Sequence, residues 1–87
     1  MRFSDHFFSR ENRYSLGFDS KTEVFYISIP VRNRMIEYEE YYALGKQEYE
    51  NFLVNEKNAA AFAERCRDRE FDDRLIIKPG SDRGDPV

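Results

Sequence analysis

Residues 13–31, RYSLGFDSKTEVFYISIPV, decide the fold class of this chain. Apolar and aromatic side chains alternate with small or polar ones on either side of a polar turn cluster at residues 19–22. A period of two is typical of a half-buried β-strand, and strands favour β-branched and aromatic residues. The stretch therefore predicts a β-hairpin formed by residues 13–19 and 23–31.

Residues 35–44, MIEYEEYYAL, alternate in the same way and predict a third strand. The apolar face of this strand also carries Glu40, and a buried carboxylate is costly unless it is paired. Two explanations remain open. Either Glu40 points inward to a partner, or a β-bulge at residues 39–40 resets the register, and the cost of burying a charge favours the bulge.

At Gly45 the apolar period changes from that of a strand to that of a helix. One helical face over residues 46–54 is formed by Tyr49, Phe52 and Leu53. A second helix is predicted over residues 56–69, with Asn55 as its cap and an apolar stripe of Ala59, Phe62, Ala63 and Cys66. Cys66 is therefore expected to be buried and inert.

The two ends of the chain are less regular. Residues 1–12 contain three phenylalanines at helical spacing, which predicts a short N-terminal helix or a docked arm. Residues 74–78, RLIIK, suit a short last strand. Residues 80–87 are polar and contain Gly84 and Pro86, so we expect a flexible tail.

Together these patterns predict one α+β domain over residues 1–79. Its sheet is a three- to four-stranded antiparallel meander, covered on one face by a C-terminal helical hairpin. One cysteine leaves no intrachain disulfide, and neither a signal peptide nor an apolar run of about 20 residues is evident. We therefore expect a cytoplasmic protein that does not contact a membrane.

Several functions are disfavoured by residue content. The only histidine, His6, lies in the least regular segment and the only cysteine, Cys66, lies on an apolar helix stripe, which disfavours a nucleophile–base pair. One histidine and one cysteine also give no zinc-ligand spacing. The four glycines are isolated and form no phosphate loop. A net charge of −3 disfavours nucleic-acid binding. We expect no enzymatic activity, no cofactor and no metal.

The strongest functional signal is the acidic, tyrosine-rich segment 37–52, EYEEYYALGKQEYENF. Tyrosine is enriched at protein interfaces, and clustered carboxylates steer basic partners. The residues expected to bind a partner are Glu37, Glu39, Tyr41, Glu48 and Glu50. The two groups, on the third strand and the first helix, are predicted to meet along one rim.

The leading hypothesis is a small acidic intracellular protein-binding domain of a bacterial kind, contacting a basic protein partner. Its most specific form is an immunity- or antitoxin-type inhibitor of a toxin nuclease. One alternative is a homodimeric or larger structural or accessory subunit, encoded by a phage or an operon. A second alternative is a small ligand-binding protein or enzyme that uses Glu40 and the nearby tyrosines.

Overall fold

The computed structural model describes residues 1–87 as a four-stranded antiparallel meander followed by two helices. The elements are β1 (Phe3–Ser9), β2 (Tyr14–Asp19), β3 (Val24–Arg32), β4 (Glu37–Leu44), α1 (Lys46–Val54), α2 (Glu56–Arg67), a 3-10 turn (Asp72–Arg74) and β5 (Asp85–Pro86). The sheet order is β1-β2-β3-β4, and β5 pairs with β3. The predicted α+β meander with a C-terminal helical pair is confirmed.

β1 shows that the prediction of an N-terminal helix is wrong. The strand pairs with β2, but the register shifts between Asp5 and Phe7, so that His6 has no partner residue opposite it. This bulge adds one residue to the alternation. Phe3 and Phe8 consequently lie on one face of the sheet and Phe7 on the other, at a spacing that resembles a helix when only the sequence is considered.

Helices α1 and α2 pack on one face of the sheet, here called the covered face. Ile27, Ile29 and Val31 of β3 have no exposed surface there, and alternation accounts for their shared direction. The rest of the core is Tyr14, Leu16, Tyr42, Leu44, Tyr49, Phe52, Ala59, Ala63, Cys66 and Leu75. Full burial of each large aliphatic side chain contributes about 1.5–3 kcal/mol to folding.

Both predicted helices are present, with α2 slightly shorter than expected. The Asn55 side chain accepts a hydrogen bond from the Asn58 backbone N–H (3.1 Å), as an N-cap should. The helix ends at Arg67, and Arg69 adopts a left-handed conformation with φ of 60°. The predicted burial of Cys66 is confirmed, since the residue is 1% exposed.

Glu40 is buried with partners, and the bulge predicted at residues 39–40 is wrong. The pairing of β4 with β3 is continuous from Glu37 to Leu44, so Glu40 keeps its place on the covered face, where it is 7% exposed. The Arg83 guanidinium donates to both carboxylate oxygens (2.7 and 3.1 Å), and the Tyr42 hydroxyl donates a third bond (3.0 Å). These bonds offset the desolvation that favoured the bulge.

Arg83 belongs to the C-terminal segment, residues 80–87, which the sequence predicted to be a flexible tail. In the structure this segment is docked. Arg83 also pairs bidentately with Asp72 (2.7 and 2.9 Å), and the backbone N–H of Gly84 donates to the Tyr38 hydroxyl (2.7 Å). β5 then pairs with the end of β3. The polar residues that suggested mobility are the ones that anchor the segment.

The strand predicted at residues 74–78 is reduced to a single bridge. Leu75 pairs with Tyr42, and the Ile76 backbone N–H donates to the Tyr41 carbonyl oxygen (2.9 Å) at the outer edge of β4. The 3-10 turn includes Arg74, and the chain bends at Ile76 and Ile77, so that only Leu75 is left in a strand-like position.

None of the helices combines the length and apolar character that a bilayer-spanning segment requires.

Candidate functional site

The face of the sheet turned away from α1 and α2, here called the open face, carries the most distinctive side-chain cluster outside the core. It is formed by alternate residues of the strands, because side chains of a strand point to opposite faces in turn. The register places on it Phe3 and Asp5 from β1, Tyr26 and Ser28 from β3, and Glu39 and Tyr41 from β4.

Three aromatic rings form the centre of the open face. Phe3 and Tyr41 are stacked, with ring centroids 3.7 Å apart and planes 6° from parallel. Tyr26 meets both rings edge-on, at 5.6 Å from Phe3 and 4.9 Å from Tyr41. Edge-to-face and stacked pairs are favourable beyond the area they bury. Tyr26 is fully buried by this packing although no helix covers it.

Gly17 makes room for the Tyr26 ring. A Cβ at residue 17 would overlap the Tyr26 hydroxyl and the Ser4 carbonyl oxygen, so the absent side chain is what allows the ring to lie across β2. In this position the Tyr26 hydroxyl donates to the Asp5 carboxylate (2.5 Å). Because residue 17 is a glycine, the Tyr26 ring can cross β2 and reach the Asp5 carboxylate on β1.

Asp5 and Glu39 are the two carboxylates beside the aromatic centre of the open face. Glu39 accepts a hydrogen bond from the Ser28 hydroxyl (3.0 Å). Burial raises the pKa of Glu39, and the charges of Asp5 and Glu37 raise it further. Neither Asp5 nor Glu39 belongs to any of the eight ion pairs of the chain. The two carboxylates thus act on one another without a paired cation.

The neighbouring tyrosines respond to the same charges. Burial raises the pKa of Tyr41, and the Glu39 and Asp5 carboxylates add to the increase. The pKa of Tyr26 is also raised, first by burial and then by its hydrogen bond to Asp5. Both hydroxyls therefore stay protonated and remain hydrogen-bond donors near two carboxylates.

The structure brings together three of the five residues predicted to bind a partner. Glu37, Glu39 and Tyr41 all project from β4 toward the open face, as alternation predicts. Glu37 is exposed and pairs with Arg32 (2.8 Å), which is exposed as well. Tyr41 and Glu39 are half-buried.

Glu48 and Glu50 lie on α1, on the side of the sheet opposite to the open face. Glu48 is engaged within the domain: it accepts two bonds from Arg74 (2.9 and 3.1 Å) and one from the Gly45 backbone N–H (2.9 Å). The Arg74 guanidinium lowers the pKa of this carboxyl. Glu50 is exposed and forms no ion pair.

Sequence reasoning missed Phe3, Asp5 and Tyr26, the other half of the open face. Residues 1–12 were predicted to form a short helix or a docked arm, and neither alternative placed Phe3 and Asp5 in the sheet. One signal was available in the predicted hairpin, where Gly17 and Tyr26 fall opposite each other. A glycine facing an aromatic across a hairpin indicates a ring that lies over the partner strand.

Other reactive groups lie apart from the open face. His6 is exposed and its Nδ1 is hydrogen-bonded to the Tyr49 hydroxyl (2.5 Å), which links β1 to α1. Burial raises the pKa of the Cys66 thiol to about 12. No group of three or more His, Cys, Asp or Glu side chains is arranged to hold a metal ion.

Comparison of the chain with models of protein families, with curated proteins and with solved structures finds no match. Any function must therefore be argued from the geometry of the open face and its surroundings.

Proposed function

We propose that this chain is a protein-binding domain whose open face contacts a basic surface of its partner. The observation that carries the proposal is the pair of carboxylates, Asp5 and Glu39, which lie beside the stacked rings of Phe3 and Tyr41 and belong to none of the ion pairs of the chain. Lysine and arginine side chains bind carboxylates and also pack against aromatic faces.

The chain supplies an internal example of such a contact. The Arg2 guanidinium lies 4.6 Å from the centroid of the Phe3 ring while it pairs with Asp19 (2.8 Å). Arg2 thus combines an aromatic face with a carboxylate, as an incoming arginine would combine Tyr41 with Glu39. Aromatic residues and arginine are also the commonest hot spots of protein interfaces.

The proposed partner is a basic protein, and the most specific form of the proposal is an immunity- or antitoxin-type inhibitor that masks the basic active site of a toxin such as a nuclease. Support for this form comes from charge complementarity, which raises association rates and excludes acidic competitors. We propose a cytoplasmic location for this activity, in keeping with the single buried thiol.

The test compares three forms of the protein as bait in the source cell. Asp5→Asn/Glu39→Gln removes both charges but keeps an oxygen to accept from Tyr26 and Ser28. Glu11→Gln/Asp73→Asn is the matched control, because it makes the same charge change at two exposed carboxylates without ion pairs. The partner should be captured by wild type and control but associate about tenfold more slowly with the open-face variant.

Two further results complete this test. Raising the salt concentration should slow wild-type association more than that of the open-face variant, because fewer charges remain to be screened. If the partner is a nuclease, wild-type protein should inhibit it and the open-face variant should inhibit it poorly. Equal association rates for all three baits would contradict the proposal.

A second candidate, a homodimeric or larger accessory subunit, is favoured by different observations. β1 is an edge strand, and the Phe8 side chain next to that edge is 59% exposed. Exposed strand edges support self-association. A mass in solution that doubles at micromolar protein and returns to the monomer value for Phe8→Ser would support this candidate.

The alternative that uses Glu40 for ligand binding or catalysis receives less support. Both oxygens of Glu40 accept bonds from Arg83, and one also accepts from Tyr42. This arrangement gives the carboxylate a role in anchoring the C-terminal segment.

A further inference from the structure

The two edges of the sheet differ in how far the chain itself occupies them. At the outer edge of β4, the Ile76 backbone N–H bonds to the Tyr41 carbonyl oxygen (2.9 Å) and the Arg74 guanidinium to the Ala43 carbonyl oxygen (3.1 Å). At the outer edge of β1, none of the twelve backbone hydrogen bonds outside the regular elements reaches residues 3–9. β1 therefore presents unpaired backbone groups to solvent.

The direction of these groups follows from one bond. The carbonyl oxygen of Arg2 accepts from the Ser20 backbone N–H, so the backbone groups of Arg2 point toward β2. In an antiparallel ladder the N–H and C=O of successive residues point to opposite sides. The backbone of Ser4 consequently faces β2, and the backbone groups of Phe3 and Asp5 face outward.

The side chains beside this edge define what could pair with it. Asp5 projects to the open face between Phe3 and the exposed Phe8. Residues directly opposite one another on adjacent strands have Cβ atoms about 4.5–5.5 Å apart, and opposite charges there are stabilising. A strand added to β1 would therefore favour lysine or arginine beside Asp5, with apolar side chains two residues away on either side.

We propose that the free edge of β1 receives an extended segment of the basic partner as an added strand, with a lysine or arginine of that segment beside Asp5. This inference rests on the proposed function for the charge of the partner. A second copy of the chain is the poorer occupant, because β1 contains no lysine or arginine between Phe3 and Ser9 and would bring a second Asp5.

A synthetic peptide tests the inference without the partner. The probe is acetyl-Thr-Val-Thr-Lys-Thr-Val-Thr-amide, which alternates and places lysine at the centre of one face. Its controls are the same peptide with glutamate in place of lysine, and the lysine peptide N-methylated along its hydrogen-bonding edge. Amide hydrogen exchange of the full chain, followed by nuclear magnetic resonance, is the readout.

The expected result is residue-specific. At millimolar lysine peptide, exchange of the Phe3 and Asp5 amides should slow by about fivefold or more, because these groups become hydrogen-bonded. The Ser4 amide, already directed at β2, should change little. The N-methylated peptide should give no protection, and the glutamate peptide should bind several-fold more weakly. Asp5→Asn should reduce that charge preference, and Asp5→Lys should reverse it.

Four outcomes would contradict the inference, and they are distinguishable from failure of the proposed function. The first is no protection of the Phe3 and Asp5 amides by the lysine peptide. The second is protection that rises with protein concentration in the absence of peptide, which would make a second copy the occupant. The third is partner capture that depends on Asp5 and Glu39 but leaves the β1 amides unprotected, in which case the proposed function stands without strand addition. The fourth is equal protection by the lysine and glutamate peptides, which would leave strand addition at the β1 edge in place but contradict a basic added strand.

Discussion

Glu39 and Glu40 are adjacent in β4 and lie in opposite situations on the two faces of the sheet. On the covered face, Glu40 is buried and the chain supplies Arg83 to pair with it. On the open face, Glu39 and the nearby Asp5 accept hydrogen bonds from hydroxyl groups, and neither carboxylate forms an ion pair. The difference teaches that the buried Glu40 is paired within the domain, whereas the half-buried Glu39 and the exposed Asp5 have no ion-pair partner, which is the contrast on which the proposed function rests.

The largest expected effect comes from breaking the covered-face pair. Arg83→Met leaves Glu40 buried with only the Tyr42 hydroxyl, and it also frees Asp72. Loss of one partner from a buried ion pair typically costs about 3–5 kcal/mol. Urea denaturation monitored by circular dichroism should show a loss of this size in the free energy of unfolding.

The control for this prediction is Arg65→Met. Arg65 pairs with Glu70, and both side chains are about half exposed (58% and 45%). Exposed ion pairs contribute less than about 1 kcal/mol. If the two variants lost the same free energy of unfolding, the C-terminal segment would contribute no more than an ordinary surface pair.

The next effect tests the packing of the open face. Gly17→Ala should destabilise the protein by about 1–3 kcal/mol, because the new methyl group overlaps the Tyr26 hydroxyl and the Ser4 carbonyl oxygen. Gly80→Ala is the matched control, since a Cβ there meets no atom within 4 Å. It should change the free energy of unfolding by less than about 0.5 kcal/mol. Thermal unfolding of both variants checks the difference, and equal melting temperatures would refute the role assigned to Gly17.

A smaller effect separates two buried tyrosine hydroxyls, one on each face. Tyr26→Phe removes the donor to Asp5 and should cost about 1 kcal/mol. Tyr14→Phe removes a hydroxyl that is buried on the covered face without any hydrogen-bond partner. It should be neutral or slightly stabilising, because no bond is lost and a polar group leaves the core. Chemical denaturation of the two variants in parallel measures the difference in their free energies of unfolding. A larger loss for Tyr14→Phe than for Tyr26→Phe would contradict the prediction.

The smallest effect is the contribution of Glu39 to the pH dependence of stability. Because the folded-state pKa of Glu39 is raised, the folded state binds the proton more tightly, and the ionised form weakens stability at neutral pH. The free energy of unfolding of Glu39→Gln at pH 7 should therefore equal that of wild type or exceed it by up to about 0.5 kcal/mol. The difference should vanish as the pH falls below the ordinary carboxyl range, where Glu39 is protonated in both states.

Asp19 should show the opposite sign. Its hydrogen bond from Arg2 holds its pKa well below the ordinary value, so its contribution to stability is present above pH 4 and is lost only as the pH falls through the depressed pKa. Asp19→Asn should thus be less stable than wild type at pH 7, with a gap that closes in strong acid. Unfolding curves at a series of acidic pH values measure both effects. The two assignments would be contradicted if the stabilities of Glu39→Gln and Asp19→Asn differed from that of wild type in the same direction.

Local patterns predicted most of the fold. β2, β3 and β4 alternate without interruption, and α1 and α2 follow a clear helical period, so neighbouring residues suffice to predict them. The β4 half of the open face, with Glu39 and Tyr41, was predicted for the same reason.

The errors share a different cause. β1 contains a bulge, and its strand character becomes evident only through its pairing with β2. The position of the C-terminal segment depends on contacts between Arg83 and Glu40, which are 43 residues apart in the chain. A pairing at that separation leaves no period in the local sequence. Without Arg83 in view, Glu40 suggested a β-bulge, whereas the ion pair with Arg83 allows the carboxylate to be buried in a regular strand.

The Phe3–Tyr41 stack has a spectroscopic consequence. The chain contains six tyrosines and no tryptophan, so its emission and its near-ultraviolet absorption at wavelengths beyond the phenylalanine band come from tyrosine. Two of these tyrosines lie in the aromatic centre of the open face, where Tyr41 stacks on Phe3 and Tyr26 is hydrogen-bonded to a carboxylate. A ligand that contacts this face at Tyr41 and Asp5 changes the surroundings of the Tyr41 ring directly and those of the buried Tyr26 through its bond to Asp5. The domain therefore carries its own optical reporter at the position where we propose that binding occurs, and near-ultraviolet circular dichroism can follow it without a label.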